Sequence, residues 1–73
     1  MDHEQLLQEA SRLSRIVADD TMRIIRQRRL IERLKSGADV TELEQAEGLL
    51  KVMLDEQTQH EQQLVRVQAK LIF

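Results

Sequence analysis

The 73-residue chain has no cysteine, no proline, no tryptophan and no tyrosine, and it contains two glycines and a single aromatic residue, Phe73. Without cysteine neither a disulfide framework nor a thiolate metal site can form, a composition that fits a reducing compartment. The near absence of aromatics removes the large anchors around which compact mixed cores are built. Long helices remain. The first residues, Met1-Asp2-His3-Glu4, are acidic and precede no apolar run, and no stretch approaches the length of a membrane span. A soluble protein of the cytoplasm, without a membrane partner, is therefore expected. A chain of this size makes one small domain, and its core is too small for comfortable stability without a staple or a partner.

Charge is divided along the chain. Residues 1–11 carry three acids, residues 12–35 carry eight Lys/Arg against three Asp/Glu, and residues 36–73 carry three against seven, so a basic segment meets an acidic one.

Apolar residues recur at three- and four-residue steps through Leu6, Ala10, Leu13, Val17, Ile24, Ile31 and Leu34, which predicts a helix over about 4–35. Ser36-Gly37-Ala38-Asp39 breaks the pattern, and Gly37 suits the left-handed residue that often ends a helix. Asp39 with Glu42, or Thr41 with Glu44, has the spacing of a capping box. Either restarts a helix, predicted over about 41–72 with Leu43, Ala46, Leu50, Met53, Leu64, Val67 and Leu71 in step, and the turn falls at about 36–40.

The two halves can be tested against each other, because facing residues of an antiparallel pair have position numbers with a constant sum. Every seam position satisfies a sum of 77, from Leu34 with Leu43 and Ile31 with Ala46 to Leu13 with Leu64 and Leu6 with Leu71. The predicted fold is all-α, a coiled-coil-like antiparallel hairpin of two helices over residues 1–73. Apolar residues off this seam, among them Ile16, Leu30, Leu49 and Leu54, would each forgo roughly 1.5–3 kcal/mol if left in water. Two hairpins packed as a four-helix bundle would cover them, and twofold dimers are the commonest oligomers. A partner protein's helix is the alternative occupant.

Polar residues interrupt the seam at Asp20 opposite Gln57, with His60 next to them opposite Val17. Such a layer can be a titrating site, with the carboxylate raising the imidazole pKa. It can also be a register pin that penalises slipped pairings, and this is the favoured reading. His60-Glu61 resembles the His-acid pair on the dimeric hairpins of sensor kinases, but it stands in the second helix, no proline follows and no ATP-binding domain accompanies it. Glu56 and His60 lie one turn apart and could share a cation, yet zinc needs three or four ligands and the other histidine, His3, is at the chain end. Ser11, Ser14 and Ser36 lack a positioned base. Neither catalysis nor a cofactor or metal is expected.

Arg12, Arg15, Arg26, Arg29 and Arg33 align on an outward face of the first helix, with Arg23 and Arg28 beside them. This stripe could grip phosphates of RNA or DNA, although stacking aromatics are lacking. Pairing is the other explanation. The seam arithmetic puts Arg33 near Glu42 and Glu44, and Arg28 and Arg29 near Glu47. Gly48, inside the second helix, is explained either by close approach of another helix or by an exposed site indifferent to the residue.

The segment Ile25-Arg26-Gln27-Arg28, then Ile31, Leu34, Gly37, Asp39, Thr41-Glu42, Ala46, Leu49-Leu50, Leu54, His60 and Leu64, resembles a group of short uncharacterised proteins of alphaproteobacteria. The resemblance covers about residues 24–64. It implies a helical hairpin in a bacterial, cytoplasmic setting and no assigned activity. The function expected is thus a non-enzymatic interaction or assembly module, homodimeric and serving as a bacterial regulatory adaptor, with RNA or DNA binding by the arginine face as the alternative.

Overall fold

Asp2 starts the first helix. Its carboxylate accepts from the Gln5 backbone N–H at 2.8 Å, and the Gln5 side chain accepts from the Asp2 N–H at 3.2 Å, a reciprocal cap with the spacing D-x-x-Q. The structure, a computed structural model, describes residues 2–37 and 39–72. Two helices, α1 over His3–Lys35 and α2 over Val40–Ile72, pack against each other as an antiparallel hairpin. Each begins one residue before the predicted start. Ala38 of the turn and Phe73, the single aromatic residue, lie outside the described residues.

The turn corrects one expectation and decides another. Gly37 does not adopt a left-handed conformation. Instead α1 ends at Ser36, in right-handed geometry, whose backbone N–H and hydroxyl both donate to the Arg33 carbonyl, while the Gly37 N–H donates to Leu34 O at 3.1 Å. These bonds satisfy the last carbonyls of α1 without a left-handed residue. At the start of α2 the Asp39 carboxylate accepts from the Glu42 N–H at 3.1 Å, so Asp39 is the cap and Thr41 lies within the helix.

Burial follows the predicted seam. Among the described residues Leu6, Leu13, Ile24 and Ile31 of α1 and Ala46 of α2 are the buried apolar ones, and the remaining apolar seam positions are half-buried. The two helices are unequal in this respect. Six residues of α1 are buried but only Ala46 of α2, so the apolar seam of α2 stays partly open to water.

The hairpin measures 54 × 14 × 14 Å, with a radius of gyration of 16.5 Å; a compact chain of this length would have one of about 11 Å. It exposes 5,684 Å², against about 4,700 Å² for a compact monomer of its mass.

Gly48 has open space around it within the chain, with nothing within 4 Å of an added Cβ. Since glycine inside a helix is about 1 kcal/mol less favourable than alanine, Gly48→Ala is expected to raise the thermal midpoint by several degrees in a circular dichroism melt. A lowered midpoint would mean that another helix closes on this position.

Candidate functional site

Among the described residues three interhelical hydrogen bonds cross the seam. Gln27, buried, donates through Nε2 to the Ala46 carbonyl at 2.9 Å. The small Ala46 side chain leaves that carbonyl accessible, and the carbonyl points along α2 toward Leu50, the residue expected opposite Gln27. Asp20, only 6% exposed, accepts through Oδ2 from His60 Nδ1 at 2.6 Å. Gln57 donates to the Thr21 hydroxyl at 2.8 Å, and that hydroxyl donates in turn to the Val17 carbonyl at 3.0 Å.

The expected layer of Asp20 with Gln57 is therefore split into two bonds, Asp20 with His60 and Gln57 with Thr21. Side-chain direction explains the difference. Cα–Cβ bonds tilt toward a helix N-terminus, which in α1 is away from the turn and in α2 toward it. Asp20 and His60 consequently lean toward each other, although His60 sits almost one turn beyond the residue level with Asp20. Among the described residues no buried side-chain nitrogen or oxygen lacks a partner. Nor, among the described residues, do three potential metal-binding side chains come together.

Two grooves flank the seam. Leu30, Leu34, Ala46 and Leu49 line one near the turn, where Gln27, Glu42 and Gln45 complete it. The same face continues past Leu49 to Val52 and Met53, between Arg23 and Glu56, and ends at Asp20. Leu49 is 48% exposed and Val52 50%. On the opposite side of the seam, Leu54 joins Ile31 and Leu50 in a groove otherwise formed by Arg28, Glu32, Lys35, Glu47 and Lys51. The candidate interface residues thus divide: Leu30 and Leu49 share an apolar face, Leu54 belongs to a charged groove, and Ile16 is half-buried farther along α1. Helical geometry accounts for this, since Leu49 and Leu54 differ by five residues and point roughly 140° apart.

The arginine stripe divides as well. Arg26, Arg28, Arg29 and Arg33 surround Ile25 on the outer side of α1, with Glu32 between them. Arg12 lies apart and is engaged by Glu9, to which its Nε donates at 3.0 Å. That hydrogen bond and the guanidinium charge hold the Glu9 carboxyl below its ordinary range and push the Arg12 guanidinium up. Arg12 is exposed and Glu9 partly so, on the surface of one helix, so the pair's contribution is small; by linkage it is present above the ordinary glutamate pKa and fades in more acid solution, as Glu9 is protonated. Arg15 is exposed and lies outside the cluster.

The expected pairs of Arg33 with Glu42 or Glu44, and of Arg28 or Arg29 with Glu47, do not form. Among the described residues the ion pairs are Arg12 with Glu9, Lys35 with Glu32, and His60 with Asp20. Exposed pairs gain too little to fix two long side chains across a seam.

No protein-family model, curated protein or solved structure matches this chain. Among the described residues, no helix is long and apolar enough to cross a membrane.

The capping box at Asp2 was readable from its spacing and is absent from the sequence expectations. Thr21 carried only a weaker signal, as a hydroxyl beside Asp20. Nothing in the sequence marks the Ala46 carbonyl as a partner for Gln27.

Proposed function

We propose that this chain is a non-enzymatic interaction and assembly module that works as a homodimer, two hairpins forming a four-helix bundle. The observation that carries this reading is the apolar face on which Leu49 and Val52 are exposed and Leu30, Leu34 and Met53 half-buried, beside the half-open seam of α2. A continuous apolar surface of this kind on a small domain marks an interface. Covering it relieves the shortage of core that two helices cannot make up alone. A regulatory adaptor in the bacterial cytoplasm is the setting implied by the resemblance of residues 24–64, and it belongs to the same proposal.

Leu49→Glu combined with Leu30→Glu puts four carboxylates into the interface of each dimer. The expected result by light scattering is a shift from dimer to monomer at micromolar concentration, with loss of helical signal on dilution. If the unmodified chain is itself a stable helical monomer at that concentration, the reading fails.

Nucleic-acid binding stands as the second reading, because Arg26, Arg28, Arg29 and Arg33 gather on one surface and none is ion-paired among the described residues. Clustered guanidinium groups contact phosphate through a salt-sensitive attraction. A fluorescence titration with RNA or DNA at low salt tests it. Binding abolished by Arg26→Glu with Arg29→Glu is the expected result on this reading, and no binding by the unmodified chain disposes of it.

A further inference from the structure

Resting on the self-association proposed above, we infer the arrangement of the pair: two hairpins stack through the Leu30–Leu49 face with their turns at the same end, α1 of each lying over α2 of the other. Two observations select this geometry.

The first is where the apolar surface lies. The apolar side chains of this face lie mostly in the half nearest the turn, where Leu49 and Val52 of α2 are exposed and Leu30 and Leu34 of α1 and Met53 of α2 are half-buried. Beyond Asp20 and Glu56 the seven-residue repeat of Leu30 and Arg23 continues on α1 as Ile16 and Glu9, and the repeats of Leu49 and Val52 continue on α2 as Gln63 and Gln59, so Ile16 is the apolar exception at these positions. Hairpins stacked over their full length with turns at opposite ends would therefore set each apolar half against a polar one. Turns at the same end set apolar against apolar.

The second is charge. Residues 23–35 of α1 carry six Lys/Arg and one Glu, while residues 40–56 of α2 carry five Asp/Glu and one Lys. A shifted arrangement with turns opposed could still overlap the apolar halves, but it places α1 on α1 and α2 on α2. Basic would then face basic, and acidic would face acidic. A twofold axis parallel to the helices instead lays each basic half over its partner's acidic half, and opposite surface potentials steer and orient association. The arginines left without ion pairs within the hairpin acquire carboxylates nearby. Glu42 and Glu56, which edge the apolar face of α2, are the acids best placed to meet them. Neighbouring helices are antiparallel throughout, as in up-and-down bundles.

The area is adequate. Joining two hairpins of 5,684 Å² each into one fully compact body of twice the mass would remove at most about 3,600 Å², so an elongated stack that buries about half of this still reaches the roughly 1,600 Å² of a standard stable interface.

Because the chain has no cysteine, a spin label can be placed at one position. Glu4→Cys, exposed near the free end of the hairpin, reports the arrangement by pulsed dipolar spectroscopy, with light scattering on the same sample for mass. In a bundle with helix axes about 8–10 Å apart, turns at the same end bring the two labels within about 30 Å. Turns opposed separate them by more than about 45 Å at 1.5 Å per residue. A dimer with the short distance is the expected result. A dimer with only the long distance overturns the arrangement and leaves self-association intact, whereas a monomeric mass overturns both.

Discussion

Leu13→Ala is expected to remove about 2–5 kcal/mol of stability, lowering the thermal midpoint by 10 °C or more, as measured by circular dichroism. Leu13 is 1% exposed and is the most completely buried large side chain of the hairpin. It stands opposite Leu64, which is half-buried and belongs to an otherwise regular helix. With long helices on both sides of the gap, collapse around an alanine is limited, and the lost contacts go largely uncompensated. Domains of this length hold roughly 4–11 kcal/mol in total, so one substitution takes a large share. Leu7→Ala, at a half-exposed position beside the seam residue Leu6, is the control and is expected to change stability by less than about 1 kcal/mol. Equal effects from the two would refute the seam as the core.

Asp20 carries the second large effect. Asp20→Ala strands the His60 ring nitrogen that the carboxylate holds at 2.6 Å and is expected to cost about 1–3 kcal/mol in urea unfolding. The lower part of that range reflects an imidazole that is still partly exposed. Replacing both partners, Asp20→Leu with His60→Leu, removes the desolvated pair altogether. It is expected to restore stability to the original level or above it by about 1–4 kcal/mol. If the pair is a register pin, uniqueness is what disappears: the double variant should unfold at higher urea yet show multiple conformations in its amide NMR spectrum. A single set of sharp resonances would show that register is specified elsewhere, the bond of Gln27 to Ala46 O being the next candidate.

The proposed dimer arrangement links these two effects. Asp20 closes the apolar face on the side away from the turn, so the polar layer both aligns the two helices of one hairpin and marks the limit of the surface available to a second. Leu13 lies beyond that limit. Its loss is therefore expected to act on the hairpin itself, whereas Leu49→Glu is expected to act on association. Measuring unfolding at several protein concentrations separates them, because only the second effect varies with concentration.

The fold was legible because heptad spacing states which face of a helix is buried and the two halves agree on a single sum. Ile24, Ile31 and Ala46 are buried where that arithmetic puts them. The polar partners were legible only as a neighbourhood. Asp20, Gln57 and His60 were correctly grouped at the centre of the seam, but residue numbers carry no tilt, and the tilt of side chains toward each helix N-terminus made Asp20 the partner of His60 and left Gln57 to Thr21. Gly37 misled for a similar reason: composition suggested a left-handed cap, while the Ser36 hydroxyl and the Gly37 N–H satisfied the end of α1 by another route. The off-seam apolar residues could be listed from sequence, but not sorted. Whether Leu54 shares a groove with Leu30 or lies across the seam depends on how α2 is rotated against α1.

The sequence by itself determined two helices, their register and the opposed charges of their turn-proximal halves, because each follows from spacing and composition within a segment. Tertiary structure alone decided which polar atoms meet, which arginines remain unpaired, and which apolar side chains form one continuous face, because these depend on the direction and reach of side chains across two packed helices.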